Sequence, residues 1–218
     1  MERTALGMGQ PLSPVAAWTT PDLDGAGFDA LEFLAQRYSV GPKHLTLPAP
    51  DAQALQRAAR VALRAPDHRH LQPFRFVQVA DEQRCELARL FAQDAARRGH
   101  GADEVERARE RAHNGPALLG VVGRVGPNET DVPESEQWIC IGAGLMNFLN
   151  AMHLMGFGAK VLSGASVRDE SIRDAFCEPG ETLVAWLLVG TPSARSRPKA
   201  ADDVGRVLTA WRGTGAKG

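Results

Sequence analysis

Residues 64–76 read RAPDHRHLQPFRF and gather cations and imidazoles between a helical pattern and a strand pattern. Upstream, residues 52–64 place small or apolar side chains at helical spacing, with Asp51 as the expected N-cap. Downstream, Pro73 disfavours a continuing helix, and the apolar alternation that follows predicts a strand over residues 74–80. Composition alone favours an ordinary polar surface loop here, but loops that join a helix to a strand are also where binding residues concentrate.

The rest of the chain alternates helical and strand patterns irregularly. Predicted helices cover residues 28–37, 82–98, 103–112, 134–156 and 170–176, and predicted strands cover residues 117–122, 159–162 and 182–189. Asp81 is expected to cap the helix that begins at residue 82, and Gly156 is expected to end the long helix in a left-handed conformation. Periodicity alone therefore predicts either an α/β or an α+β protein.

The long helix at residues 134–156 is apolar on more than one face, so we expect it to be buried nearly all round. Gly142 and Gly144 permit close backbone approach along it. Polar residues within it, Asn150 and His153 among them, argue against a membrane span. The helix is therefore either the central core helix of one subunit or part of a homodimer interface.

Composition fits a cytoplasmic enzyme. The chain has 218 residues, of which 44% are hydrophobic and 23% charged, and its net charge is −1. A charge so near zero, without a basic run, argues against nucleic acid as the main partner. Cys85, Cys140 and Cys177 are scattered and lack CxxC spacing, so we expect reduced thiols rather than disulfides or a metal site.

The sequence predicts one domain with two appended segments. Glycine and proline interrupt the first residues, and no charged segment leads into an apolar stretch there, so residues 1–26 are expected to form a flexible arm rather than a signal peptide. We expect the domain to span residues 27–200 and a C-terminal tail to span residues 201–218. One domain of this length is ample for a hydrophobic core.

Several short motifs stand in a fixed order along the chain. They are Arg37-Tyr38-Ser39, Arg64-Ala65-Pro66-Asp67-His68, Gln72-Pro73-Phe74, Glu136, Gly142-Ala143-Gly144, Gly156-Phe157-Gly158, Ser163-Gly164-Ala165 and Gly190-Thr191-Pro192. Their order and spacing over residues 28–200 resemble the FMN-dependent nitroreductase family, in particular its small single-domain members. The resemblance implies an α+β fold: a mixed, mainly antiparallel sheet surrounded by helices, in a domain-intertwined homodimer with FMN at the subunit interface.

The resemblance also implies which residues bind the cofactor. Arg37, Tyr38 and Ser39 match family positions at the phosphate end of FMN, with Tyr38 in place of a second arginine. Arg64 and His68 match positions that reach the flavin from the partner subunit. A cation or donor there would stabilise the negative charge that the flavin ring gains on reduction. The neighbouring Asp67 could equally be a turn residue that holds the loop.

A second motif departs from the family pattern. Val161, Leu162 and Ser163 stand where the family carries Trp-Arg-Ser in the flavin pocket, so an aromatic side chain and a cation are missing here. The match implies that these residues contact FMN, but the departure bears on cofactor affinity and on substrate range.

The implied activity is that of an FMN-dependent oxidoreductase. NAD(P)H would pass hydride to bound FMN, and an electron-poor acceptor, such as a nitroaromatic, a quinone or an activated alkene, would take the electrons in a second half-reaction. The sequence contains no paired-carboxylate motif, GxSxG elbow, HExxH or Walker A loop, which suits an enzyme whose chemistry is carried by FMN. The alternatives are a catalytically idle flavin-binding dimer or storage module, and a related flavoenzyme with other chemistry.

Overall fold

A computed structural model describes residues 29–127, 131–193 and 204–211. The helices are α1 (Ala30–Ala35), α2 (Ala52–Ala62), α3 (Arg84–Arg97), α4 (Ala102–Arg111), α5 (Glu134–Leu154) and α6 (Glu170–Phe176). The strands are β1 (Leu45–Thr46), β2 (Phe74–Val79), β3 (Ala117–Gly123), β4 (Gly158–Leu162) and β5 (Thr182–Pro192). The expected arm at residues 1–26 lies outside the described residues, whereas a short 3-10 turn at Val204–Arg206 belongs to the expected tail.

Strand β5 organises the sheet, because β3, β4 and β1 all pair with it. The strand order is β1-β5-β3-β2, with β4 also paired to β5, and each of these pairings is antiparallel. Leu162 at the end of β4 lies opposite Trp186, and Gly158 at its start lies opposite Gly190. The predicted α+β class with a mainly antiparallel sheet is therefore confirmed.

The alternation of side chains along the strands builds two hydrophobic cores. On β5, Leu187 and Val189 face the first core, which packs against α2 and α5, whereas Trp186 and Leu188 face the second, which packs against α3, α4 and α6. All four side chains are at most 4% exposed. Burial on both faces explains why β3 reads as a continuous apolar run in the sequence.

Three local features test the predicted element boundaries. The backbone N–H of Ala54 donates to Asp51 Oδ1 at 2.7 Å, and Gly156 has φ of +87°, so both predicted caps are confirmed. The prediction that Asp81 caps the third helix is wrong. A 3-10 turn occupies Asp81–Gln83, and the Asp81 carboxylate instead accepts a 3.0 Å hydrogen bond from Arg84 Nε.

Helix α5 is buried on one side only within a single chain, so the alternative of a central core helix within one subunit is wrong, and burial of its other side by a partner stays a prediction. Cys140, Phe148 and Met152 are at most 2% exposed, but Ile139 is 62% exposed and Trp138 is 45% exposed. None of the helices within the described ranges combines the length and apolarity that crossing a bilayer requires.

Candidate functional site

The loop between α2 and β2 adopts an unusual backbone conformation. Arg69, His70 and Gln72 have φ of 64°, 57° and 46°, in the left-handed region that few non-glycine residues visit. The Asp67 carboxylate holds this conformation, because Oδ1 accepts from the Leu71 N–H at 3.0 Å and Oδ2 from the Gln72 N–H at 2.8 Å. Asp67 is thus a turn residue, and it fixes the backbone of a loop whose strain is typical of functional sites.

A hydrogen bond orients His68 at the start of this loop. Its Nδ1 lies 2.8 Å from Glu136 Oε2 in the first turn of α5, and both side chains are about half exposed. Because a carboxylate only accepts hydrogen bonds, the shared proton is on Nδ1, and Nε2 remains available to another partner. Sequence reasoning counted Glu136 among the motifs without giving it this role, although an acidic residue in a first helical turn near a histidine-rich loop was a usable signal.

Arg64 and Arg37 differ from most of the arginines that the structure describes. Within the described ranges neither forms an ion pair, whereas Arg75, Arg84 and Arg97 each bond a carboxylate. Arg64 is exposed just after α2, and Arg37 is half-buried just after α1. Both guanidinium groups are therefore available to an anionic ligand.

The segment that carries Arg37 runs alongside β4. Ser39 forms an isolated parallel bridge with Ala159, and the Val40 N–H donates to the Ala159 carbonyl at 2.9 Å. Sequence reasoning did not predict this pairing. It brings Arg37 and the exposed hydroxyl of Ser39 next to the strand that ends at the predicted pocket residues.

The predicted residues along β4 do not all face one ligand. Val161 packs against the first core and Leu162 against the second, so their side chains lie on opposite sides of the sheet. Tyr38 also packs against the second core, as an apolar residue would. Ser163 is exposed just past the strand, about 13 Å along the chain from Ala159. A ligand that contacts both Ser39 and Ser163 must therefore be elongated.

The predicted site residues form two groups at opposite ends of α5. At the C-terminal end, the ring of His153 stacks on Phe33 of α1 at 4.4 Å, and its Nε2 lies 2.8 Å from the Phe33 carbonyl oxygen. At the N-terminal end, His68 bonds Glu136. A helix rises 1.5 Å per residue, so about 25 Å separates the two ends. The segment that follows α1 and the loop that carries His68 are therefore anchored at opposite ends of α5 within one chain.

The donor set near β4 suits a phosphate ester. A guanidinium can bond phosphate oxygens in a bidentate manner, and serine hydroxyls at positions 39 and 163 can donate further hydrogen bonds. One α5 turn before His153, the buried Asn150 Oδ1 has no hydrogen-bond partner among the residues that the structure describes. Among the described residues no group of His, Cys, Asp and Glu is arranged to hold a metal ion. The residues present therefore fit an elongated organic phosphate such as FMN.

Comparisons with known proteins agree with this assignment. The model of the Nitroreductase family matches residues 34–191. A Haemophilus influenzae protein named "Putative NAD(P)H nitroreductase" is 33% identical over 164 residues, which cover 75% of this chain and 88% of that protein. A nitroreductase-like family protein from Bacillus cereus superposes with a TM-score of 0.69 at 19% identity, over 87% of this chain and 99% of that chain. A Desulfovibrio desulfuricans structure, described as a "putative nitroreductase in complex with fmn", superposes with a TM-score of 0.63 at 19% identity, over 85% of this chain and 98% of that chain.

Proposed function

The chain belongs to the nitroreductase family, and from that premise we propose that it is an FMN-dependent oxidoreductase that takes hydride from NAD(P)H and passes electrons to an electron-poor acceptor. The observation that carries the proposal is the placement of Arg37 and Ser39 alongside β4. An arginine that bonds no carboxylate of the described residues, beside an exposed hydroxyl and a strand edge, suits the phosphate of a cofactor. Nitroaromatics, quinones and activated alkenes are the acceptor classes that we propose.

Each proposed site residue has a distinct task. Arg37 would bind two phosphate oxygens, and Ser39 would donate to a third. His68, oriented by Glu136, would direct Nε2 to the pyrimidine edge of the ring, where negative charge accumulates on reduction. Bound FMN supplies the hydride chemistry, so the protein needs only to bind, orient and shield it. No side chain is assigned to acid-base or nucleophilic catalysis.

We further propose that the working unit is a homodimer. The ends of α5 near which the two groups lie are about 25 Å apart in one chain, and we infer that a two-fold axis would bring Arg64 and His68 of the partner subunit to the Arg37 group. Helix α5 supplies a surface for such an axis, because Trp138, Ile139 and Met146 are 45%, 62% and 40% exposed on it. Large apolar side chains clustered on one exposed helix face are typical of an association surface.

The visible absorption spectrum tests the activity. The purified protein is mixed with FMN, desalted, and titrated without oxygen with NADH and then with NADPH. Retained yellow colour that bleaches supports the oxidoreductase and identifies its donor. Colour that is retained but does not bleach refutes it in favour of a flavin-binding module, the alternative suggested by the missing aromatic and cationic side chains at Val161 and Leu162. A colourless protein refutes flavin binding altogether.

Subunit hybrids test whether the site is shared. Arg37→Ala and Arg64→Ala should each weaken FMN binding by roughly ten- to a hundredfold, as loss of a charge-assisted contact predicts. In a shared site, dimers that contain one chain of each variant recover one intact site, so random mixing restores about a quarter of all sites. Arg60→Ala, an exposed arginine on α2, is the matched control and should leave binding unchanged. If mixing restores no site, the shared arrangement is wrong.

A further inference from the structure

A cavity of about 270 Å³ opens on the face of the sheet that Leu162 occupies. It lies between α3, α4 and the turn that follows β4, and Phe91, Leu118, Trp186 and Leu188 form its apolar wall. These four side chains are at most 9% exposed, so they belong to the packed second core. The cavity is therefore built on rigid elements rather than on loops alone.

Trp186 gives the cavity a fixed aromatic wall. The rings of Phe91 and Phe176 meet its indole edge-to-face, at centroid distances of 5.3 Å and 5.0 Å. The indole Nε1 donates to Ser166 Oγ at 3.1 Å, so the one polar atom of the ring is satisfied. The indole cannot turn without breaking these contacts. A planar apolar ligand would meet a preformed surface and would lose little of its binding energy to reordering the protein.

The charged groups that line this cavity belong to a hydrogen-bonded set, extended by Glu104 and Arg107 outside the lining, whose charges do not cancel. Asp94 is bonded by Arg98, whose Nε lies 2.9 Å from Oδ1, and Glu104 is shared by Arg107, at 2.9 Å, and Arg111. Three guanidinium groups therefore face two carboxylates, which leaves one surplus positive charge. Hydrogen bonds from Arg107 and Arg111 hold the pKa of Glu104 below its usual range, so this count applies at neutral pH.

Three of these charged residues line the cavity directly: Asp94, whose carboxylate is bonded by Arg98, and the arginines Arg98 and Arg111. Arg98 and Arg111 both lie on its wall, together with the polar side chains of Asn114 and Ser163. Arg98 bonds Asp94 through two nitrogens, Nε and Nη2. Arg111 bonds Glu104 through Nη2, shares that carboxylate with Arg107, and has a side chain that is 53% exposed. Arg111 is therefore the group best able to bond an additional anion.

We propose that this cavity binds a small monocyclic aromatic carboxylate, with the ring against Phe91 and Trp186 and the carboxylate at Arg111. The volume lies just below the ~300–1,000 Å³ of typical small-molecule sites, which favours a single ring over a fused system such as a flavin. One surplus positive charge matches one negative charge on the ligand. The cavity shares Leu162 and Ser163 with the predicted flavin contacts, whereas Arg37 and Ser39, which carry the proposed flavin site, do not line it.

Calorimetric titration of the full chain with benzoate tests the proposal, with benzyl alcohol as the uncharged analogue. We expect saturable binding of benzoate with a dissociation constant of about a millimolar or tighter, and at least tenfold weaker binding of benzyl alcohol. Arg111→Gln should weaken benzoate binding about tenfold, whereas Arg109→Gln, an exposed arginine of the same helix outside the cavity, should not. Ala165→Phe, at an exposed position of the lining, should block entry.

Three results would overturn it. These are absence of saturable benzoate binding, equal affinity in the Arg111 and Arg109 variants, and wild-type affinity in the Ala165 variant. The titration is repeated with excess FMN, which should leave benzoate affinity unchanged. If FMN competes with benzoate and Arg111→Gln leaves benzoate affinity equal to that of Arg109→Gln, the ligand occupies the proposed flavin site instead and the cavity assignment is wrong. If the protein binds benzoate but no FMN, the proposed function fails while this inference stands.

Discussion

Replacing Gly144 by alanine should destabilise the protein, although alanine is the better helix former. A Cβ at Gly144 would lie 2.5 Å from Phe74 Cζ and 2.6 Å from Phe74 Cε1, far inside normal contact distance. The ring of Phe74 has little room to retreat, because it is 7% exposed and meets Phe76 edge-to-face at 5.9 Å. Phe76 in turn packs on Phe148 at 4.4 Å. The new methyl group must therefore displace a chain of aromatic rings.

Gly142 provides a matched control two residues away on the same helix. A Cβ there meets no atom within 4 Å among the described residues. Within an isolated chain, Gly142→Ala should therefore gain about 1 kcal/mol from helix propensity. Gly144→Ala gains the same amount but loses up to about 3 kcal/mol to overpacking, for a net loss of about 2 kcal/mol. The two variants should thus differ by about 3 kcal/mol.

Urea denaturation followed by far-ultraviolet circular dichroism measures both free energies of unfolding. If Gly144→Ala is as stable as the wild type, Phe74 has room to move and the packing argument is refuted. Gly142 lies on the exposed side of α5, so its variant also reports on the proposed dimer. A partner subunit packed on that side would turn the expected gain into a loss.

Further predictions concern a buried cation, a buried thiol and an acid-sensitive carboxylate. Arg84 is 6% exposed and donates to several backbone carbonyls before β3. Arg84→Met should therefore lower the free energy of unfolding, measured by urea denaturation, by about 3 kcal/mol. The control Arg89→Met, at an exposed position, should change it by less than about 0.5 kcal/mol. Burial, helped by a nearby aspartate, raises the pKa of Cys140 to about 11. A disulfide reagent at pH 8 should therefore modify the exposed thiol of Cys85 promptly, but that of Cys140 only after unfolding. Prompt modification of Cys140 would contradict its burial. A hydrogen bond from an arginine on β2 holds the pKa of Glu181 below its ordinary value of 4.5, so its contribution to stability is complete above pH 4.5 and declines as the pH falls below it. The Glu181→Gln variant should therefore lose less stability than the wild type between pH 5 and pH 3, and an equal loss would refute this assignment.

Much of the fold could be predicted from the sequence because its signals are local. The cap at Asp51, the left-handed end at Gly156 and the apolar run of β3 each depend on residues close in the chain. The two-residue strand β1 could not be predicted, because it exists only through its pairing with β5. Asp81 was misassigned because its carboxylate bonds the side chain of Arg84, which has its own tertiary role at the loop before β3.

The site was predictable only as a set of residue types. Strand alternation alone places neighbouring side chains on opposite faces, so the divergence of Val161 and Leu162 was accessible from the sequence. The separation of Arg37 from Arg64 was not accessible from the sequence. It depends on which end of α5 is reached by α1, which precedes Arg37, and by α2, which precedes Arg64. The same holds for the bond between His68 and Glu136, whose partners meet only in the folded chain.

The division of the site residues between the two ends of α5 has a consequence for how the protein holds its cofactor. If each flavin is bound by groups from two chains, cofactor retention and subunit association are thermodynamically linked, and each stabilises the other by mass action. Dilution would then release FMN even at constant free FMN concentration. The yellow colour of a dilute sample would measure assembly, and added FMN would protect the dimer against dissociation.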